Sequence, residues 1–142
     1  MTENNSIAAI TELYAGWRAA VTAGNIDGYV AVLHDDVTMM PPGAADVVSA
    51  ASYRAFLGPV FATATYAIEI ISPPAIDVVG DIAVARYEYA IVLTLKNPER
   101  AVTEPGALTD PRTVSRYFDV LRRNANGRWA VWRHTWNASP NS

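Results

Sequence analysis

The stretch "WRAAVTAGNIDGYVAVLHDDVTMMPPG", Trp17–Gly43, decides how the N-terminal part of the chain folds. Its apolar residues follow a helical period up to Gly24, which suits the end of a helix because glycine readily adopts a positive φ. Asn25 is a good N-cap for a second, short helix. "HDDVTMM" then indicates a turn and a short strand that ends at Pro41-Pro42-Gly43. The stretch therefore predicts two helices and a strand in close succession.

The helical pattern continues on both sides of this stretch. Apolar residues recur at helical spacing from residue 7 to residue 21, and Asn5 or Ser6 can cap that helix. After the strand, a third helix is expected to begin near Ser49. Gly58-Pro59 is expected to end or bend it, because proline lacks the backbone N–H that a helix interior uses.

From Thr65 onward the pattern is typical of strands. "TYAIEII" predicts a strand that Pro73-Pro74 interrupts, as at a bulge or a sheet edge, and "AIDVV" resumes it. Three more strands are expected: residues 82–96, "RTVSRYFDVLRR", and "RWAVWRHTWN" after an Asn-Gly turn. Three helices followed by an antiparallel meander predict an α+β fold.

Composition excludes several classes of function. The chain has 142 residues, 51% of them hydrophobic, which fits one domain with its own core. Its net charge of −3 gives no attraction to nucleic acid or to an anionic membrane. It has no cysteine, so thiol nucleophiles and thiolate metal sites are excluded. Without a signal-peptide pattern or a long apolar run, we expect a cytoplasmic protein.

The opening run resembles that of a known superfamily. The matching positions are Ala20, Gly24, Asn25, Asp27, Leu33, Asp35 and Asp36. "VVGDIAVARYEY" and "LRRNANGRWAVWRHTWN" resemble hairpins of the same group. By these motifs, residues 1–142 are identified as one SnoaL-like domain, a ketosteroid-isomerase-like member of the nuclear-transport-factor-2-like superfamily. Asn25 stands where the family usually has aspartate, which exchanges one helix cap for another.

The resemblance implies a cone-shaped fold. A curved antiparallel sheet would wrap around three N-terminal helices and leave an open apolar pocket between them. Pockets of this kind bind small, mostly apolar organic molecules. The resemblance also implies a homodimer that forms through the sheet.

Ketosteroid isomerases supply one comparison for the site. By local alignment, their helix tyrosine falls on Trp17 and their general base on Pro41. Their third residue, a protonated aspartate, falls on Asp119 in "YFDVL". The resemblance therefore does not imply the steroid-isomerase reaction.

Limonene-type epoxide hydrolases supply a second comparison. Their Arg-x-Asp pair is matched by Arg86 and Glu88 in "RYE", and His134 stands in place of their second aspartate. The Tyr and Asn that hold water in that group have no counterpart in "VTMM".

The strand "VARYEYAIVL", Val84–Leu93, carries Arg86 and Glu88 on one face, which either meets water or lines a pocket. We predict that it lines the pocket, together with Tyr117, Asp119, Leu121, Trp132, His134 and Trp136 on the later strands. In the candidate catalytic site, Glu88 or Asp119 is the base and His134 donates or relays protons. Arg86 supplies the orienting charge. The alternative is a structural polar network. The opposite face, with Tyr87, would then need a second subunit as cover.

Other side chains complete the predicted pocket. The candidate substrate-binding residues are Tyr14, Trp17, Met40, Tyr53, Phe56, Tyr117, Trp132 and Trp136. No cofactor and no metal are expected, although His34, Asp35 and Asp36 offer a possible metal site. The predicted function is small-molecule binding, with cofactor-free acid–base catalysis of an isomerase, cyclase, dehydratase or epoxide-hydrolase type. A non-catalytic ligand-binding or dimerisation module is the alternative.

Overall fold

The computed structural model describes the backbone of residues 2–140 and the side chains of residues 4–140. Three helices pack against one sheet, which confirms the predicted α+β class. In chain order, the elements are α1 (Thr2–Ala23), α2 (Ile26–Ala31), β1 (Leu33–Met40), β2 (Val47–Val48), α3 (Ala50–Thr63), β3 (Ala64–Val79), β4 (Ile82–Leu95), β5 (Arg112–Arg123) and β6 (Trp129–Ala138). Within the described residues, no helix is both long and apolar enough to cross a bilayer.

The six strands form one curved, unclosed sheet in the order β2-β1-β6-β5-β4-β3. The meander from β3 to β6 is antiparallel, but β1 pairs in parallel with β6. The sheet is therefore mixed. A parallel pair is possible here because no hairpin connects β1 to β6. β3 is an edge strand, and its register shifts between Ile70 and Ala75, around the predicted Pro73-Pro74 irregularity.

The first two helices meet at the predicted boundary. Gly24 has a φ of +65°, and the side chain of Asn25 accepts a hydrogen bond of 3.0 Å from the backbone N–H of Gly28. Asn25 is therefore the N-cap of α2. The predicted start of α1 at a cap on residue 5 or 6 is wrong, since the helix already begins at Thr2.

The third helix begins as predicted but ends later. Ser49 is its N-cap and accepts from the backbone N–H of Ser52. Pro59 lies inside α3, so the prediction that Gly58-Pro59 ends the helix is wrong. The helix continues because three residues around this proline are buried together in the core, and that burial offsets one missing backbone hydrogen bond. They are Leu57, Val60 and Phe61.

The helices cover one face of β4, and this decides which residues face inward. Ala85, Tyr87, Tyr89 and Ile91 are each at most 5% exposed. Arg86 and its neighbours at alternate positions lie on the other, outer face. The predicted parity of β4 is therefore wrong, and the face that was expected to need a second subunit is covered by the chain's own helices.

Candidate active site

A buried carboxylate lies on the concave face of the sheet. Asp119 of β5 has 0% of its surface exposed. The strand register places it between Ala85 of β4 and His134 of β6. Two tyrosines reach it, Tyr14 from α1 and Tyr87 from β4. The site is thus built by elements from both layers of the fold.

Three groups surround the Asp119 carboxylate. The hydroxyls of Tyr14 and Tyr87 donate hydrogen bonds to Oδ2, at 2.6 and 2.7 Å. His134 Nδ1 lies 2.5 Å from Oδ1. Burying a carboxylate without partners is costly, and an ionised carboxylate can only accept hydrogen bonds. All three partners can donate, so the arrangement suits a buried anion.

Both tyrosines are held in the neutral form. Burial raises the pKa of Tyr14 and the pKa of Tyr87 well above the ordinary value, and the nearby charge of Asp119 raises each further. Their phenols therefore remain hydrogen-bond donors to the carboxylate at all pH values where proteins are usually studied.

One ring nitrogen of His134, Nδ1, contacts the Asp119 carboxylate, and the other, Nε2, can accept a proton. With Nδ1 donating to the carboxylate, the neutral ring carries its free lone pair on Nε2. Nε2 makes no hydrogen bond with any residue that the structure describes, and the ring lies in the wall of a cavity. Tyr117 stacks on the ring with centroids 5.8 Å apart, and Trp136 packs at 5.1 Å. His134 is therefore oriented as a proton acceptor.

The cavity beside His134 has a volume of about 90 Å³ and is almost entirely aromatic and aliphatic. Eight of its 16 lining residues are Phe, Tyr or Trp, and none carries an acidic, lysine or arginine side chain. They are Trp17, Tyr29, Tyr53, Phe56, Phe61, Tyr66, Tyr117 and Trp136. Such a wall favours a neutral, mostly apolar ligand.

A smaller void adjoins the carboxylate. It measures about 10 Å³ and is lined in part by Tyr14, Tyr87, Asp119 and His134. This is about the space of a single water molecule. Because His134 lines both spaces, it lies between the buried carboxylate and the ligand cavity.

The loop between β4 and β5 forms another part of the cavity wall. Gly106, Ala107 and Leu108 line the cavity. Gly106 has a φ of +86°, and an added Cβ would lie 3.2 Å from the Cβ of Ala44. Glycine is therefore required there both for its backbone conformation and for the close approach of the loop to the turn after β1.

Arg86 and Glu88 do not join this site. They line a separate groove of about 270 Å³ with Arg116, and Glu88 accepts a hydrogen bond from Ser139 Oγ. The register explains why: Ala85 lies opposite Asp119, so Arg86 lies opposite Phe118 on the outer face. The predicted inward orientation of Arg86 and Glu88 is wrong, because the aromatic face of β4 outcompetes the charged face for burial.

Two predicted binding residues are also misplaced. Met40 is 47% exposed, and its neighbour Met39 is the one buried. Trp132 lies on the outer face between Arg122 and Arg133, whose guanidinium carbons are 4.8 and 3.8 Å from its ring centroid. A register shift next to Val120 leaves Trp132 without a cross-strand partner and turns it away from the cavity.

The other predicted binding residues lie where the cavity is. Trp17, Tyr53, Phe56, Tyr117 and Trp136 line it, and Tyr14 contacts the carboxylate instead.

The sequence prediction missed four aromatic residues of the site: Tyr29, Phe61, Tyr66 and Tyr87. For Tyr87 the available signal was composition, since its face of β4 carries aromatic and aliphatic side chains whereas the opposite face carries Arg86 and Glu88.

The sequence offered one possible metal site, at residues 34–36. Within the described part of the chain, no three His, Asp or Glu side chains come together as ligands. His34 Nδ1 accepts a 3.0 Å hydrogen bond from the backbone N–H of Asp36. The sequential cluster at residues 34–36 is thus a local turn contact.

Comparison with known proteins identifies the family. A family model described as the SnoaL-like domain matches residues 11–132. The chain belongs to the SnoaL-like domain family. No curated protein matches this SnoaL-like chain in sequence.

Solved structures place this SnoaL-like domain among nuclear-transport-factor-2-like folds. A ketosteroid isomerase-like protein from Erwinia carotovora atroseptica is 23% identical, with a TM-score of 0.72 over 96% of this chain and 99% of the other. A nuclear transport factor 2-like superfamily protein from Salmonella enterica is 16% identical, with a TM-score of 0.76 over 95% and 92%. A proposed scytalone dehydratase from Novosphingobium aromaticivorans is 15% identical, with a TM-score of 0.79 over 98% and 89%. These similarities show the fold.

Proposed function

We propose that this SnoaL-like protein binds a small, neutral, mostly apolar molecule and acts on it by cofactor-free acid–base catalysis. The observation that carries the proposal is the position of His134. Its Nδ1 is held by a fully buried carboxylate, and its ring lines an aromatic cavity. A base oriented in this way, beside a water-poor space, is suited to proton transfer.

The proposed mechanism uses two residues. His134 Nε2 takes a proton from a C–H or O–H group of the bound substrate, and the electron pair of that bond stays on the substrate. Asp119 stabilises the imidazolium that forms. The imidazolium then returns the proton to a different carbon, which gives isomerisation, or to a leaving hydroxyl, which gives dehydration. An intramolecular ring closure needs the same two transfers.

Dehydration and isomerisation fit this site better than epoxide opening does. Hydrolysis of an epoxide needs a held water with acid and base groups around it, and two of the three residues matched to that reaction, Arg86 and Glu88, line a different groove from His134. Structural neighbours include the proposed scytalone dehydratase and the ketosteroid isomerase-like protein. Their names support the proposal as an analogy of fold.

A ligand-binding module without catalysis is the second candidate. It is favoured by the completeness of the Asp119 network, in which both carboxylate oxygens have partners. A network of this kind can serve the fold alone.

Product masses separate the two candidates. The purified protein is incubated with a library of neutral single-ring compounds, and bound and free compounds are analysed by mass spectrometry. A new isomer of unchanged mass supports an isomerase or cyclase, and loss of one water supports a dehydratase. His134→Gln is expected to abolish the conversion while retaining the ligand. A compound that is bound by the parent protein and recovered unchanged would favour the binding module.

We also propose a homodimer through the outer face of the sheet. One row of residues in register crosses five strands on this face: Met40, Thr135, Phe118, Arg86 and Ala75. Phe118 is 48% exposed and Met40 is 47% exposed. A second copy would cover these apolar side chains.

Light scattering at micromolar concentration tests the assembly. A mass of two chains is expected for the parent protein and a mass of one chain for Phe118→Glu. A monomeric parent protein would contradict the proposed dimer.

A further inference from the structure

A buried tyrosine hydroxyl at the cavity wall has no hydrogen-bond partner among the described residues. Tyr66 of β3 is 7% exposed and lines the cavity, and its Oη is buried without a hydrogen-bond partner among the described residues. The tyrosine hydroxyls at positions 29 and 53, by contrast, pair with each other at 3.2 Å. A buried hydroxyl without a partner destabilises a fold, so it is a candidate for contact with a ligand.

The chemistry of Tyr66 fits an oxygen acceptor. Burial raises its pKa, so the phenol keeps its proton and can donate it. Tyr66 packs against Phe61 at 6.0 Å between centroids, on a strand three positions from β6 in the sheet. It therefore occupies a different wall of the cavity from His134.

The volume limits the ligand. The cavity of about 90 Å³ is smaller than the roughly 150 Å³ of an apolar protein cavity that holds benzene. A ligand that fills it and extends into its mouth has about one ring. The wall offers no permanent charge, which excludes a charged ring substituent.

We infer that Tyr66 is a specificity-determining residue, and that its hydroxyl binds an ether or carbonyl oxygen on a neutral single-ring ligand whose reacting end faces His134. The inference rests on the proposed function, because it assumes that this cavity is the ligand site. It adds the polar substituent that the ligand carries and the side chain that recognises it.

Two nearly isosteric probes test the inference. Acetophenone has a carbonyl group where ethylbenzene has a methylene group. The Kd of each is measured for the parent protein, for Tyr66→Phe and for Tyr89→Phe, by the fluorescence of the cavity tryptophans. Tyr89 is the matched control, because its hydroxyl accepts from Arg18 Nη1 at 2.9 Å and it does not line the cavity.

The parent protein and Tyr89→Phe are expected to prefer acetophenone by about three- to tenfold, as one neutral hydrogen bond allows. Tyr66→Phe is expected to lose this preference and to melt at the same or a higher temperature. An unchanged preference in Tyr66→Phe would overturn the role of Tyr66 while leaving the cavity as the ligand site. A clear drop in its melting temperature would show that the hydroxyl serves the fold, which also overturns the inference. If the parent protein binds neither probe, the proposed function itself fails.

Discussion

Replacing Asp119 with asparagine separates the charge of the site from its shape. The asparagine oxygen can still accept from the hydroxyls of Tyr14 and Tyr87, which both reach Oδ2. Its NH₂ group must then face His134 Nδ1. Two donors cannot pair, so the ring has to place its proton on Nε2 and accept at Nδ1. The variant should therefore retain its fold while the base that faces the cavity is blocked.

The magnitude follows from the three hydrogen bonds. Exchanging a charged acceptor for a neutral one weakens each bond by about 1 kcal/mol, and removing a buried charge offsets part of that loss. We expect the free energy of unfolding to fall by about 1–2 kcal/mol, or about 3–8 °C in Tm for a domain of this size. Asp119→Ala leaves all three donors unpaired and should cost about 3–5 kcal/mol.

The assay combines urea denaturation with ¹⁵N NMR of the histidine rings. Glu88→Gln is the matched control, since Glu88 lies in the separate groove and its loss of charge should change stability by less than about 1 kcal/mol. His34 serves as the internal reference, because its Nδ1 accepts from the backbone N–H of Asp36, a contact that the substitution leaves in place. Two results would contradict a charged, proton-orienting Asp119: an Asp119→Asn variant as unstable as Asp119→Ala, or an unchanged His134 tautomer. The first result would assign the network to the fold and favour the binding module.

Three further predictions address the network and the helices. Tyr14→Phe and Tyr87→Phe should each lower the free energy of unfolding by about 1–2 kcal/mol. In urea denaturation the effect of the double variant should be non-additive, because both hydroxyls bind the same carboxylate oxygen. Strict additivity would contradict a shared acceptor. Burial raises the pKa values of Tyr14, Tyr53 and Tyr87, so near pH 10 only the unfolded chain ionises them. Their contribution to stability should therefore be complete below about pH 10 and fall above it, and tyrosinate absorbance that appears before unfolding would contradict this. Pro59→Ala should raise Tm, because it restores a backbone N–H donor inside α3. Thermal denaturation should show a free energy of unfolding higher by about 1–2 kcal/mol. A lower Tm would show that the proline conformation is required.

Much of the fold was readable from local signals. β5 has the bounds that its alternating pattern predicts, because turn residues stand on both sides of it. Asn25 could be identified as a cap, and the start of α3 could be placed near Ser49, since the side-chain chemistry of a helix start acts within one helical turn. Pro59 could not be placed, because the packing that keeps α3 intact beyond it is tertiary.

The site was only partly predictable. Asp119 and His134 were placed on one face by alternation within their own strands, and the structure brings them together. Alternation alone could not decide which face of β4 turns inward, since both faces carry apolar residues and a shift of one residue exchanges them. Trp132 was misplaced for a related reason, because a bulge changes the parity of a strand and leaves no local signal.

In the proposed function, His134 moves protons in the cavity and the charged pair on β4, Arg86 and Glu88, does not. The most direct measurement is the rate at which carbon-bound hydrogens of cyclohexanone exchange with D₂O in the presence of the protein, followed by mass spectrometry. The parent protein and Arg86→Gln should accelerate this exchange equally, and His134→Gln should lower the acceleration by about 10²–10⁴-fold. Acceleration that survives in His134→Gln, or that is lost in Arg86→Gln, would contradict the role of His134 as the base.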